Sequence, residues 1–379
     1  MDFVVLGATG DEGRIASKYL LDEGHSVLLC GRNPSAISDL IKHKKARFEY
    51  VDLNDIKKTA SILKKSGAKT ALNCAEFTMN INAMKACLIA GLNYLDLGGL
   101  HEMTIKQYKL DMEFKRRNLF ALLGCGSTPG ISNVMAAYAV SKLDSVEHIE
   151  LGFAWKPNMN EFITPYSIES IVYELTTLPT ILRDGKFKKT QACSAEGITH
   201  FKGIGRQNTY CIVHSEVFTF HKYFKNKGLK DIHYKAGFPE YSHNIINTLI
   251  NLGFTSKEPI EIGKTEVKPI DFTKKALKKI KMPEGYKEFE DIWVKADGER
   301  NKKKIRIEMD CLGKTLKGWE FAGSNVNTGM TIAIMAELLD REVIKGKGVA
   351  APEAAVPPLE FFEELKRQGF KLYMDNKPL

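Results

Sequence analysis

No apolar run reaches the roughly 18 residues that a membrane-spanning helix needs, which removes integral-membrane functions from consideration. No Cys-x-x-Cys pair occurs either. The seven cysteines (Cys30, Cys74, Cys87, Cys125, Cys193, Cys211 and Cys311) are scattered and odd in number, which argues against a disulfide framework and against a thiolate zinc site. The nine histidines form no His-x-His or His-Glu-x-x-His pairing, so no metal is expected, and no Gly-x-Ser-x-Gly elbow offers a serine nucleophile. No low-complexity linker breaks the chain, and Met1-Asp2 runs straight into Phe3-Val4-Val5-Leu6 without a basic leader, so a cytosolic setting is expected. The 55 Lys and Arg outnumber the 46 Asp and Glu, but the basic stretches (Lys42 to Arg47, Lys274 to Lys281, Lys302 to Lys304) lie apart and do not interleave with aromatics. Nucleic acid and membrane surfaces are therefore not expected partners.

What is present is a globular composition, 44% hydrophobic and 27% charged over 379 residues, enough for two or three domains at about 150 residues each. Apolar runs at 2–8, 26–30, 48–51, 70–73, 93–97 and 119–123 alternate with helical stretches, which predicts a parallel sheet covered on both faces. Beyond residue 147 the pattern changes to period two, as in His148 to Phe153, Ile292 to Asp297 and Lys304 to Cys311. That predicts a half-covered, largely antiparallel or mixed sheet, with helices near 167–182, 240–252 and 273–281. The tail from Thr328 reads as helical. The fold class is thus α/β: a doubly wound parallel sheet over 1–123, an α+β domain over 124–320, and C-terminal helices over 321–379 that return to the first domain.

The strongest single motif is Gly7-Ala8-Thr9-Gly10-Asp11-Glu12-Gly13, set between the first strand and the first helix. Glycines there let backbone N–H groups approach a pyrophosphate, so this loop is predicted to bind a dinucleotide. NAD-specific folds place an acid at the end of the second strand. This chain has Cys30-Gly31-Arg32 instead, and a guanidinium suits a 2′-phosphate. NADP is favoured, with NAD as the alternative and a merely solvated Arg32 as the other reading. By position, Asp52 would meet the adenine, and Asn73, Cys74 and Ala75 the ribose near the nicotinamide.

Ala86-Cys87-Leu88-Ile89-Ala90-Gly91-Leu92-Asn93-Tyr94-Leu95-Asp96, Gly124-Cys125-Gly126-Ser127-Thr128-Pro129-Gly130-Ile131-Ser132-Asn133, and Gly348 to Glu353 followed by Phe361 to Gly369 together resemble the saccharopine dehydrogenase family. Ser167-Ile168-Glu169, Arg183 to Lys186 and Ala236 to Pro239 resemble its lysine 6-dehydrogenase branch. The resemblance implies an NAD(P)-dependent dehydrogenase working at the C–N bond of an amine or imine, with an amino acid or imine as substrate. It also implies a Rossmann-type first domain, a second domain for substrate and dimerisation, a homodimer, and Pro129 beside the cofactor. Saccharopine itself is the first choice of substrate. Lysine, or an imine of a polyamine pathway, is the alternative. Thr128 stands where many members carry Asp, and Gly-Ala-Thr-Gly is closer to short-chain-type reductases.

Oxidising an amine by hydride loss requires a base for its proton, an activated water for the imine, and a cation for the substrate carboxylate. Arg206 is the candidate carboxylate clamp, and His214 or Glu216 the acid–base group, each weighed against a solvated strand face. Asp96 and His101 form a second candidate cluster at the carboxyl ends of the first-domain strands, weighed against a cap or loop contact. Tyr166 is a candidate for the cleft or for its rim. A non-catalytic NADP sensor is the competing reading, and it would present an apolar or occluded cleft.

Overall fold

The computed structural model describes residues 1–164 and 166–379. Strands β1 (Phe3–Leu6), β2 (Val27–Gly31), β3 (Ala46–Tyr50), β4 (Thr70–Asn73), β5 (Asn93–Asp96) and β6 (Phe120–Leu122) are all parallel. Helix α1 (Asp11–Asp22) follows β1 and buries Ile15, Ala16, Tyr19 and Leu20, one face at helical spacing. Asp11 and Glu12 in its first turn complement the helix dipole. The sheet order places β1 between β2 and β4, so the connections diverge beside β1 and open a crevice at the carboxyl ends of the strands.

Helix α2 (Ile131–Ser141) leads into the second sheet. That sheet contains β7 (Ser145–Pro157), β8 (Gly205–Cys211), β9 (Asp231–Gly237), β10 (Glu288–Arg300) and β11 (Lys303–Lys314), interleaved with helices α3 (Ile168–Thr176), α4 (Glu216–Phe224) and α5 (Glu240–Asn251). The sheet is mixed: β9 pairs with β7 in parallel, whereas β7–β10, β10–β11 and β8–β9 are antiparallel. The expected period of two is visible early in β7, where Ile149 and Leu151 are buried while His148 and Glu150 are half-buried; Gly152 to Trp155 are then buried on both faces.

Two expectations change. The helix expected over 167–182 stops at Thr176, and Thr180–Arg183 is a strand. Pro179 explains this, because a proline disfavours helix in the residue before it and lacks the N–H a continuing helix would use. The tail is more than helices. Helix α6 (Asn325–Asp340) packs along α1, but β12 (Gly348–Ala350) then extends the first sheet beside β6, and β13 (Lys371–Met374) extends the second beside β11. One apolar cluster runs through both sheets and through α2 and α6, which joins the domains through a shared core. Among the described residues no helix is long and apolar enough to cross a membrane.

Candidate active site

The loop after β1 is a cradle that side chains would fill. Gly7 has φ +78°, and a Cβ there would lie 2.6 Å from the Ala75 nitrogen; one at Gly13 would lie 2.2 Å from the Gly7 carbonyl oxygen. Gly10 is less constrained, and its N–H donates to Gly7 at 2.9 Å. Ala8 faces the core, with its N–H committed to the Cys30 carbonyl at 2.9 Å, so the exposed rim of the loop is Thr9, Gly10 and Asp11, with the Thr9 and Asp11 N–H groups left to face a ligand. A backbone rim on the amino end of α1 fits a dinucleotide diphosphate. Arg32 is exposed directly after β2. Asp52 follows β3 and accepts from the Asn54 N–H and side chain at 3.0 and 2.9 Å; these bonds, with Arg32 nearby, hold its carboxyl below its usual range. Arg32→Ala is expected to weaken NADPH binding about 10- to 100-fold and leave NADH binding unchanged, measured by fluorescence titration. An equal loss for both dinucleotides would sink the 2′-phosphate assignment.

Behind this rim lies a cleft of about 220 Å³ between the domains. Glu12, Cys74, Ala75 and Pro129 reach it from the nucleotide side, and Tyr166, Glu174, His214 and Glu290 from the second domain. Glu12, expected in the phosphate loop, thus turns its side chain into the cleft. Asn73 does not line it: its amide donates to Asn80 at 2.9 Å and to the Tyr94 hydroxyl at 3.0 Å, bracing the end of β4 from below.

His214 sits in the turn between β8 and α4, 4% exposed and stacked flat on Tyr234 with ring centroids 3.7 Å apart. Its Nδ1 is hydrogen-bonded to Glu216, which leaves Nε2 for the cleft. Glu216 is fixed in turn. Ser132 donates to it at 3.0 Å, and the neighbouring Asn133 donates to Glu353 at 2.7 Å. Two of the stretches that carry the family resemblance therefore meet behind His214.

Opposite, the Tyr166 hydroxyl donates to Glu174 at 2.5 Å. Burial pushes the Glu174 carboxyl up to about 7, opposed by His214 and by the Tyr166 hydrogen bond. Burial likewise raises Glu290 to about 7 against hydrogen bonds from Asn327 and Ser127, and Glu12 to about 7. Glu76, also in the lining, is raised by burial and by the adjacent Glu169 carboxylate. Four carboxylates thus face one small space, and among the described residues no lysine or arginine lines it.

Sequence reasoning missed Glu174 and Glu290, yet both carry a signal. Glu174 sits between Ile171 and Leu175 on the buried stripe of α3, and Glu290 shares the covered face of β10 with Ile292, Val294 and Ala296. A carboxylate on an apolar face is costly unless it is partnered or functional.

Three expected residues lie elsewhere. Arg206 is exposed in a separate cavity and does not reach the cleft. Asp96 is fully buried below the strand ends, where one oxygen accepts from the Gly98 and Gly124 N–H groups at 2.9 and 2.8 Å. Its other oxygen accepts from Tyr94 at 3.0 Å and Gln107 at 2.5 Å. Its positioning follows from the tight turns after β5 and β6, which need an acceptor for their inward N–H groups. His101 is packed edge-on between Phe187 and Phe218, and burial pushes its pKa down.

The sequence matches the family model of the saccharopine dehydrogenase NADP binding domain over residues 3–122 and that of the saccharopine dehydrogenase C-terminal domain over 126–370. It is 25% identical over 286 residues to a carboxyaminopropylagmatine dehydrogenase of Synechocystis sp., covering 72% of this chain and 71% of that protein. Carboxynorspermidine synthases of Vibrio alginolyticus and Vibrio cholerae are 23% and 24% identical over 62% and 69% of this chain, with 59% and 66% of their own length covered. The chain thus spans less than two thirds of the two Vibrio relatives. The fold matches apo saccharopine dehydrogenase (L-Glu forming) from Saccharomyces cerevisiae with a TM-score of 0.75 and 12% identity, over 100% of this chain and 99% of that one. The chain belongs to the saccharopine dehydrogenase family and is an NADP-binding dehydrogenase of C–N donors.

Proposed function

We propose that the cleft acts on the C–N bond of a polycationic amine, reducing the imine that such an amine forms with an aldehyde, or running the reverse. The carboxylate lining carries this reading: Glu12, Glu76, Glu174 and Glu290 suit spaced ammonium groups, whereas a saccharopine-like substrate with several carboxylates would meet like charge. The relatives named for carboxyaminopropylagmatine and carboxynorspermidine support the same class. When bound in the cradle, NADP supplies the hydride chemistry at the C–N carbon. The Nε2 of His214 holds or delivers the proton at the substrate nitrogen, with Glu216 fixing the ring. Tyr166 and Glu174 orient the amine, and Glu290, held by Asn327, receives a distal cation. Convergent polar groups from the second domain favour turnover over a sensor, which would present an apolar cleft. The reading keeps a homodimer and a cytosolic setting.

Cation binding requires these carboxyls to be ionised. Glu12, Glu174 and Glu290 are raised to about 7, above the unfolded carboxylate range, so their ionised, binding-competent form grows as pH rises through about 7. The KM for a diamine or agmatine-type substrate is therefore expected to fall by about tenfold between pH 6 and pH 8. Protein stability runs the other way. The extra proton affinity of the folded carboxyls stabilises the fold below the unfolded value near 4.5, and this contribution is lost as pH rises through about 7. The check is NADPH oxidation with a panel of aldehydes and amines, from lysine and glutamate to agmatine and diaminopropane, across that pH window. Turnover with amino acids and none with polyamines would overturn the substrate class.

A further inference from the structure

A second cavity, of about 340 Å³, lies on the other side of an aromatic wall. Phe153 lines the cleft and Phe238 lines the second cavity, and their rings meet edge-on at 5.5 Å and 90°. The two cavities are sorted by charge. Lys156 and Arg206 line the second one, and neither makes an ion pair among the described residues; the Lys156 ammonium donates only to the Ile204 carbonyl, at 3.3 Å. Pro239, Glu240 and Tyr241, the start of the 12-residue helix α5, also line it, and the first N–H groups of a helix have no partner within the helix. Asn160 and Asn208 add amides.

The lining also offers one group that suits a positive charge, the Glu240 carboxylate. Two cations and one carboxylate leave a net single positive charge. A ligand with two carboxylates and one ammonium complements that set.

We propose that this cavity binds a free acidic amino acid, with its carboxylates on Arg206 and Lys156 and its ammonium towards Glu240. The site is separate from the cleft, and the proposal does not depend on which amine the cleft takes. The test is equilibrium dialysis of labelled L-glutamate against the full chain in the presence of NADPH. Saturable binding is expected, weakened about tenfold in Arg206→Ala and again in Lys156→Ala, and recovered in part in Arg206→Lys. Glu174→Gln, which alters only the cleft, should leave it unchanged. Both substituted cations are exposed, and circular dichroism is the check that the variants fold. No saturable binding, loss in Glu174→Gln with retention in Arg206→Ala, or equal binding of succinate would each overturn the proposal.

Discussion

Replacing His214 by glutamine should lower kcat by about 10²- to 10⁴-fold while the affinity for NADPH stays within about twofold of the parent. Among the described residues of the lining, the ring is the one group that combines an acid–base nitrogen with a fixed orientation. Its Nδ1 is tied to Glu216, and its face is stacked on Tyr234. Glutamine fills a similar volume and can keep the Glu216 contact, but it cannot carry a proton to or from the substrate nitrogen. Glu216→Gln acts through the imidazole, as a positioning change. It should lower kcat by about tenfold without moving KM, because the Ser132 bond still holds residue 216 in place. Single-turnover kinetics at saturating NADPH separates the two effects. A His214→Gln enzyme with unchanged single-turnover rate would remove the residue from the chemistry.

The largest structural effect is expected at Asp96. Its two oxygens accept four hydrogen bonds, from Gly98, Gly124, Tyr94 and Gln107, at zero exposure. Asp96→Ala strands all four donors in the interior and should cost about 3–5 kcal/mol, roughly a 10 °C fall in Tm. Asp96→Asn should cost less. Its oxygen can still serve Gly98 and Gly124, and Gln107 can turn its otherwise unpartnered Oε1 towards the new amide. Thermal unfolding followed by circular dichroism gives the ranking. An alanine variant as stable as the asparagine one would contradict the four-donor account.

These two residues also show where sequence was legible. His214 and Glu216 stand out as a polar pair after an apolar strand, and the neighbouring resemblance stretches turn out to support them through Ser132, Asn133 and Glu353. Asp96 was visible as a polar residue at a strand end. Its direction was not, because a carboxylate that braces two glycine turns and one that faces substrate occupy the same sequence position. Arg206 failed on distance: the chain runs extended over the five steps from Arg206 to Cys211, so at about 3.3 Å per residue the guanidinium starts roughly 17 Å back along β8. The six first-domain strands were readable from their regular spacing. β12 was not, since three residues show no period and their partner, β6, lies more than 200 positions earlier.

That late strand bears on how the molecule can be made. Val349 pairs beside Ala121, the Leu123 N–H waits for the Ala350 carbonyl, and Leu372 closes against Cys311. A growing chain therefore cannot finish either sheet until residues 348–374 have emerged from the ribosome. Until then β6 presents a bare edge over more than 200 positions of chain growth, and β11 over a much shorter stretch, edges of the kind that pair with other chains. The nucleotide sheet is thus completed only by residues that follow the whole second domain, and a cut near residue 124 would separate a sheet from its own last strand.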